Sequence, residues 1–199
     1  MLLSVPALAT DSTLPRLTSK TLLLRTLRSL ERRAELGYLR LAYGKTSFGD
    51  GCEVRFGHHF SIAQGGYIHF GERCIIDRGM TIEVSGRLEV GAGTIFGHHC
   101  TIAARSSVRI GANCLVAELV SIRDHDHDFS RPEVPTRDQG AVVADVVIGS
   151  NVWLGAKVTV LKGVSIGDNA VIGAGAVVSR SIPANGVAVG VPARIVRYR

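Results

Sequence analysis

An aliphatic or phenylalanine residue recurs at six-residue spacing along most of this chain. The series runs Phe48, Phe56, Ile62, Phe70, Ile76, Ile82, Val90, Phe96, Ile102, Ile110, Val116 and Ile122. After a break it resumes at Ile148, Leu154, Val160, Ile166, Ile172 and Val178. Most steps are six. Steps of eight at 62–70, 82–90 and 102–110 recur twenty residues apart, and glycine follows ten of these residues. A period of six fits neither a 3.6-residue helix nor a two-residue strand. It fits a coil with three flat sides, each a short strand with one apolar residue turned inward. Stacking such coils buries a continuous apolar column. Three sides of six make an 18-residue coil, and a two-residue corner insertion makes it 20. The asparagines of "IGAN", "IGSN" and "IGDN" then fall at corners, where a left-handed backbone is needed.

The cysteines test this register. Cys52, Cys74, Cys100 and Cys114 each lie four residues after an inward position, where the repeat wants a small side chain. We therefore expect small buried thiols, without disulfides or zinc. No C-x-x-C occurs, and a nucleophilic cysteine needs an exposed, activated thiolate.

The pattern aliphatic-Gly-x-x-small-x over residues 48–178 resembles the hexapeptide-repeat acyltransferases. That resemblance implies an all-β fold, a left-handed parallel β-helix shaped as a three-sided prism. The left hand comes from the family, since right-handed crossovers are the general rule. The expected organisation is a tail and basic amphipathic helical cap over 1–45 and a β-helix over 46–180. An extended loop over 123–147 interrupts the β-helix, and a C-terminal segment, 181–199, folds back on the last coil. "GVPAR" at the end resembles the family's terminal turn, and Pro183 and Pro192 suit turns rather than ladder strands.

Composition narrows the partners. The 199 residues are 46% hydrophobic and 20% charged, with a formal charge of +6. Residues 16–45 hold eight bases and two acids, so that segment alone accounts for the +6. A chain-wide nucleic-acid surface is not expected. No apolar run approaches the ~18 residues of a membrane span. The opening "MLLSVPALAT" lacks a basic leader and does not read as a signal peptide. The expectation is a cytoplasmic protein. Its basic helix either caps the open end of the β-helix or rests on an anionic membrane face.

The interval between Ile122 and Ile148 holds about 18 residues more than an ordinary step, and "SIRDHDHDF" stands at its root. A long excursion from a rigid scaffold is where function concentrates. In the family, the junction of wall and loop carries the catalytic histidine of galactoside, maltose, streptogramin and polysaccharide O-acetyltransferases. His125 matches that position, and the stretch is most similar to the polysaccharide branch. An imidazole with an ordinary pKa of about 6.5 suits removal of a hydroxyl proton at neutral pH. Asp124 and Asp126 both qualify to hold its other ring nitrogen. Asp124 and His127 are also assigned a role beside the acceptor. Relatives often carry Pro-Asn where this chain has Glu118 and Leu119, which argues against simple galactoside or maltose acceptors. Glu118 either contacts the acceptor or orients His125.

The resemblance also implies acetyl-coenzyme A as donor, gripped by backbone between subunits of a homotrimer. Aligned positions are Trp153 beside the site and Ala156 and Ala174 where the backbone must approach closely. Ser179 and Arg180 align with the adenine-ribose end, and Arg194 and Arg197 with the phosphates. No metal is expected to be required. Two other readings stand beside an acyl transfer to a sugar hydroxyl. One is transfer to serine or an antibiotic. The other is a γ-type carbonic anhydrase with zinc between subunits, although its H-x-x-x-x-H spacing is replaced here by His125-x-His127. A non-catalytic scaffold is the bland alternative.

Overall fold

The computed structural model describes residues 34, 36–39, 41–43 and 45–199. From Thr46 onward the chain winds through three parallel walls in turn. The first wall contains Thr46–Phe48, Tyr67–Phe70, Arg87–Val90, Ser107–Ile110, Val146–Ile148 and Ser165–Ile166. The second begins with Glu53–Val54, Ile75–Ile76, Ile95–Phe96 and Leu115–Val116, and continues through Trp153–Leu154 and Val171–Ile172. The third contains His59–Ile62, Thr81–Val84, Thr101–Ala104, Ser121–Arg123, Thr159–Val160 and Val177–Val178. Equivalent strands in successive coils pair in parallel, for example Leu115 with Trp153 and Val116 with Leu154.

The repeat explains the walls because one residue per side turns inward. Phe70, Ile76, Ile82, Phe96, Ile102, Ile122, Leu154, Val160 and Ile172 are fully buried in one column. At its lower end Phe48 stacks on Phe70 at 5.2 Å between ring centroids, and Phe70 meets Phe96 edge-on. Glycine next to the inward residue lets coils stack. A Cβ on Gly111 would lie 2.6 Å from Gly149 C and Ser150 N of the following coil. The corner asparagines do take left-handed backbone, with φ of 57°, 55° and 60° at Asn113, Asn151 and Asn169.

Cys74, Cys100 and Cys114 are buried, Cys52 is half-buried, and all four are free thiols. Each Sγ donates to a carbonyl one coil on, Cys52 to Gly71 O at 3.0 Å and Cys100 to Ala117 O at 3.1 Å. Thr94 fills the same kind of slot and donates to Gly111 O at 2.9 Å. Small polarisable or hydroxyl side chains therefore answer carbonyls that the coil corners leave inside.

The register of the first coil differs from the sequence reading. Its inward residues are Val54 and Phe60, 0% and 5% exposed, whereas Phe56 is 60% exposed. Ile62 lies partly buried at the end of its strand. The step from Phe48 to Val54 to Phe60 keeps six, and the whole insertion falls between Phe60 and Phe70. "FG" at 56–57 imitates the repeat, but Gly57, at φ 88°, turns the corner instead.

At the base of the prism, residues 34, 36–39 and 41–42 are helical. Leu39 is 2% exposed within the core, Leu36 packs against it, and Tyr43 Oη donates to Phe60 O at 2.9 Å. This described end of the helix covers the first coil. The rest of the expected cap, including residues 1–33 and their basic face, lies outside the described residues. At the other end the β-helix extends past residue 180. Gly186–Val189 still pairs in parallel with the second wall, and only Arg194–Tyr198 turns back antiparallel upon it.

Candidate active site

The excursion after Ile122 is a two-stranded antiparallel arm, not an irregular loop. His125–His127 pairs with Ala141–Val143, with His125 opposite Val143. A short 3₁₀ turn, Thr136–Asp138, closes the tip. Gln139 holds that tip, donating from Nε2 to Arg131 O at 2.7 Å and Val134 O at 2.6 Å and accepting from Arg131 N at 2.9 Å.

The root of the arm lies at the corner between third and first walls. Its two legs are joined where Ala144 N donates to Asp124 O at 2.8 Å. Asp124 is the one fully buried acidic side chain among the described residues. Its Oδ1 accepts from Arg105 N at 2.8 Å and its Oδ2 from Ser106 N at 2.7 Å, both in the preceding coil. Oδ1 also lies 2.9 Å from His125 Nδ1. A carboxylate that already accepts two N–H groups has only acceptor capacity left, so Nδ1 donates to it. That leaves His125 Nε2 as the free, basic nitrogen. On the other leg, Ser106 Oγ donates to Asp145 Oδ1 at 2.7 Å.

This geometry decides between the two aspartates. Asp126 turns to the opposite side of its strand and pairs with Lys162 Nζ of the next coil at 2.6 Å. Sequence reasoning missed Lys162. Its position between Leu161 and Gly163 carries no repeat signal, and the partner lies 36 residues away. Asp124 is corrected in one respect: a 0% exposed side chain does not reach an acceptor, so it belongs behind the imidazole. His127 is exposed and shares a strand face with His125.

Glu118 stands at the other edge of the third wall, six residues and at most about 20 Å of extended chain from Asp124. Its own chain's His125 is therefore oriented by Asp124, not by Glu118. Glu118 stacks instead in the corner column that continues with Ala156 and Ala174, where Gly175 N donates to Ala156 O at 2.8 Å. Arg194 follows the terminal turn near that corner, where Ala193 N donates to Val177 O at 2.8 Å. Ser179 and Arg180 lie exposed past the third wall, on the His125 side and one coil beyond Lys162. Trp153 and Arg197 meet, but elsewhere. They line a recess of about 460 Å³ on the outer face of the second wall, with Leu115, Asn151 and Val171. Within one chain Ser179 and Arg180 thus share the corner of His125, whereas Ala156, Ala174 and Arg194 lie at the other corner of the third wall and Trp153 and Arg197 on the second wall.

Burial pushes the Cys74 and Cys100 thiols up to about 11. They are packing groups, not nucleophiles. Among the described residues no group of three or more His, Cys, Asp or Glu side chains is placed to hold a metal ion.

Comparison with known proteins agrees with the β-helix fold. Residues 145–180 match the family model described as bacterial transferase hexapeptide (six repeats). The chain is similar to "Probable acetyltransferase Rv3034c" of Mycobacterium tuberculosis H37Rv, 32% identical over 137 residues, 69% of this chain and 39% of that protein. It is also similar to "Putative lipopolysaccharide biosynthesis O-acetyl transferase WbbJ" of Escherichia coli K12. That match is 44% identical over 89 residues, 41% of this chain and 45% of that protein. The chain thus spans less than half the length of these curated relatives. Among solved structures, galactoside acetyltransferase in complex with coenzyme A superposes with a TM-score of 0.58 at 27% identity. That match covers 95% of this chain and 84% of the other.

Proposed function

From a left-handed parallel β-helix whose residues 145–180 match the bacterial transferase hexapeptide model, we propose that this chain is a coenzyme A-dependent O-acetyltransferase. Its acceptor is a hydroxyl of a sugar, in a surface polysaccharide, a glycolipid precursor or a smaller glycoside. The observation that carries this reading is the buried Asp124 held against His125 Nδ1 at 2.9 Å, at the root of an arm projecting from a rigid wall.

In this mechanism the acceptor hydroxyl approaches His125 Nε2. The imidazole takes the hydroxyl proton as the oxygen attacks the thioester carbonyl. The new C–O bond forms, the C–S bond breaks, and the proton passes from Nε2 to the departing thiolate. No acyl-enzyme forms. Asp124 keeps the ring in the productive tautomer and stabilises the imidazolium that arises midway. Backbone N–H groups of the coils are the simplest donors for the oxyanion.

In this reading acetyl-coenzyme A lies along the corner of Ala156 and Ala174, whose methyl side chains let a ligand approach the backbone. Arg194 lies near that corner to receive phosphate charge. That corner and His125 lie at opposite edges of the third wall. A cyclic homotrimer would set one chain's His125 corner beside a neighbour's donor corner and would cover exposed Leu115 and Trp153 of the second wall. The free thiols agree with a cytoplasmic location.

The test measures thiol release from acetyl-coenzyme A against a panel of neutral and acidic sugars, serine and an antibiotic acceptor. His125→Ala should lose about 10²–10⁴ in turnover while calorimetric affinity for acetyl-coenzyme A is kept. Near-wild-type turnover in that variant removes the base assignment. Turnover confined to serine or the antibiotic removes the sugar. Stoichiometric zinc bound through His125 would support the anhydrase reading instead.

A further inference from the structure

Lys162 holds no place in the mechanism above, yet it lies one residue's reach from its centre. We propose that Lys162 is a positioning residue for His125, acting through Asp126. The proposal rests on the reading of His125 as the general base.

Asp126 is the nearest neighbour of His125 along the arm. On the extended strand His125–His127 successive side chains point to opposite sides. The Asp126 carboxylate therefore turns from the ring toward the following coil and meets Lys162 Nζ at 2.6 Å. Both partners are partly screened, with side chains 40% and 29% exposed. The next residue continues the attachment, as Gly163 N donates to Ala144 O of the returning leg at 2.9 Å. The arm root is thus fastened downward by Asp124 to the Arg105–Ser106 backbone and upward by Lys162.

The pair has an electrostatic consequence. His125 faces Asp124 directly. Around it stand Asp126 and His127 on its own strand, Arg123 before it, Asp145 on the returning leg, the exposed Arg105 of the coil below, and Lys162 above. Asp145 is engaged by Ser106. Lys162 neutralises Asp126, so the imidazole answers chiefly to Asp124. Without the ammonium, a second carboxylate competes for the ring. Without the carboxylate, an uncompensated cation is left beside it.

The variants therefore have opposite signs. A unit charge on the neighbouring side chain of a solvated strand moves a titration midpoint by about half a pH unit. NMR titration of His125 in histidine-labelled full-length protein should show a rise of that size in Lys162→Met and a similar fall in Asp126→Asn. The Asp126→Asn/Lys162→Met double variant and Lys162→Arg should stay near wild type. In turnover, Lys162→Met should lower kcat at pH 7, leave KM for acetyl-coenzyme A unchanged and recover at higher pH. Shifts of the same sign in both single variants, or no shift, overturn the proposal. If Lys162→Met does not fold, the fall in Asp126→Asn still decides it. The NMR arm needs no turnover, so opposite shifts in a protein without acyl transfer would sink the function and leave the pair standing.

Discussion

Asp124 Oδ1 lies 2.9 Å from Nδ1 of His125, and the same buried carboxylate accepts backbone N–H groups from Arg105 and Ser106. One side chain thus fastens a coil corner and orients a ring. Asp124→Asn should damage both. The amide would turn an NH₂ toward a donor and lose charge-assisted bonds, each contributing about 1.5–3 kcal/mol. We expect a melting temperature lower by about 5–10 °C and at least a tenfold loss of acyl transfer. His125→Ala should melt near wild type, since only Asp124 loses a partner. Equal melting of Asp124→Asn and wild type would show that the corner does not depend on the carboxylate.

The stacked thiols predict a loss of stability in alkali. Burial raises Cys74 and Cys100 to about 11 and raises Cys114 as well. Unfolded thiols ionise from about 9, so the folded form keeps its protons longer. Stability from these groups is complete below about pH 9 and falls as pH rises through about 11. The denaturation midpoint should be lower at pH 10.5 than at pH 8, with a smaller difference in Cys100→Ala. At pH 8 an aromatic disulfide reagent should label half-buried Cys52 before the other three. Rapid labelling of all four would contradict the packing.

Coil stacking leaves no room at Gly111. Gly111→Ala places a methyl carbon 2.6 Å from the backbone of Gly149 and Ser150. Backbone cannot rotate away as a flexible side chain can, so we expect a cost of about 1–3 kcal/mol in urea unfolding. An unchanged midpoint would mean that the coils separate more easily than their hydrogen bonds suggest.

Gln139 is the clamp of the arm tip, with three hydrogen bonds to Arg131 and Val134. Gln139→Ala should speed trypsin cleavage after Arg137 several-fold without altering the melting temperature, since Pro132 protects the bond after Arg131. Cleavage at the wild-type rate would place the rigidity of the tip elsewhere.

The inward column from Phe70 to Val178 was legible because each coil repeats the same steric demand, an apolar residue followed by glycine and a small residue. The place of His125 at the root of an arm was legible because an 18-residue surplus marks where the wall opens, whereas its role as base came from the family resemblance. The first coil misled the register, since Phe56–Gly57 carries the repeat's letters while Val54 and Phe60 carry its packing. The choice between Asp124 and Asp126 was not legible. Both flank His125, and their fates depend on backbone in the coils below and above.

By itself the sequence determined the winding, the depth of the core and the point at which the wall is interrupted. These are one-dimensional properties, written once per turn. Only the tertiary structure decided that Asp124 serves the imidazole, that Lys162 takes Asp126, and that Trp153 and His125 stand on different sides of one chain. Those outcomes depend on which residues stack between coils, and the intervening arm changes that offset from 20 residues to 38, from Ile110 above Val90 to Ile148 above Ile110.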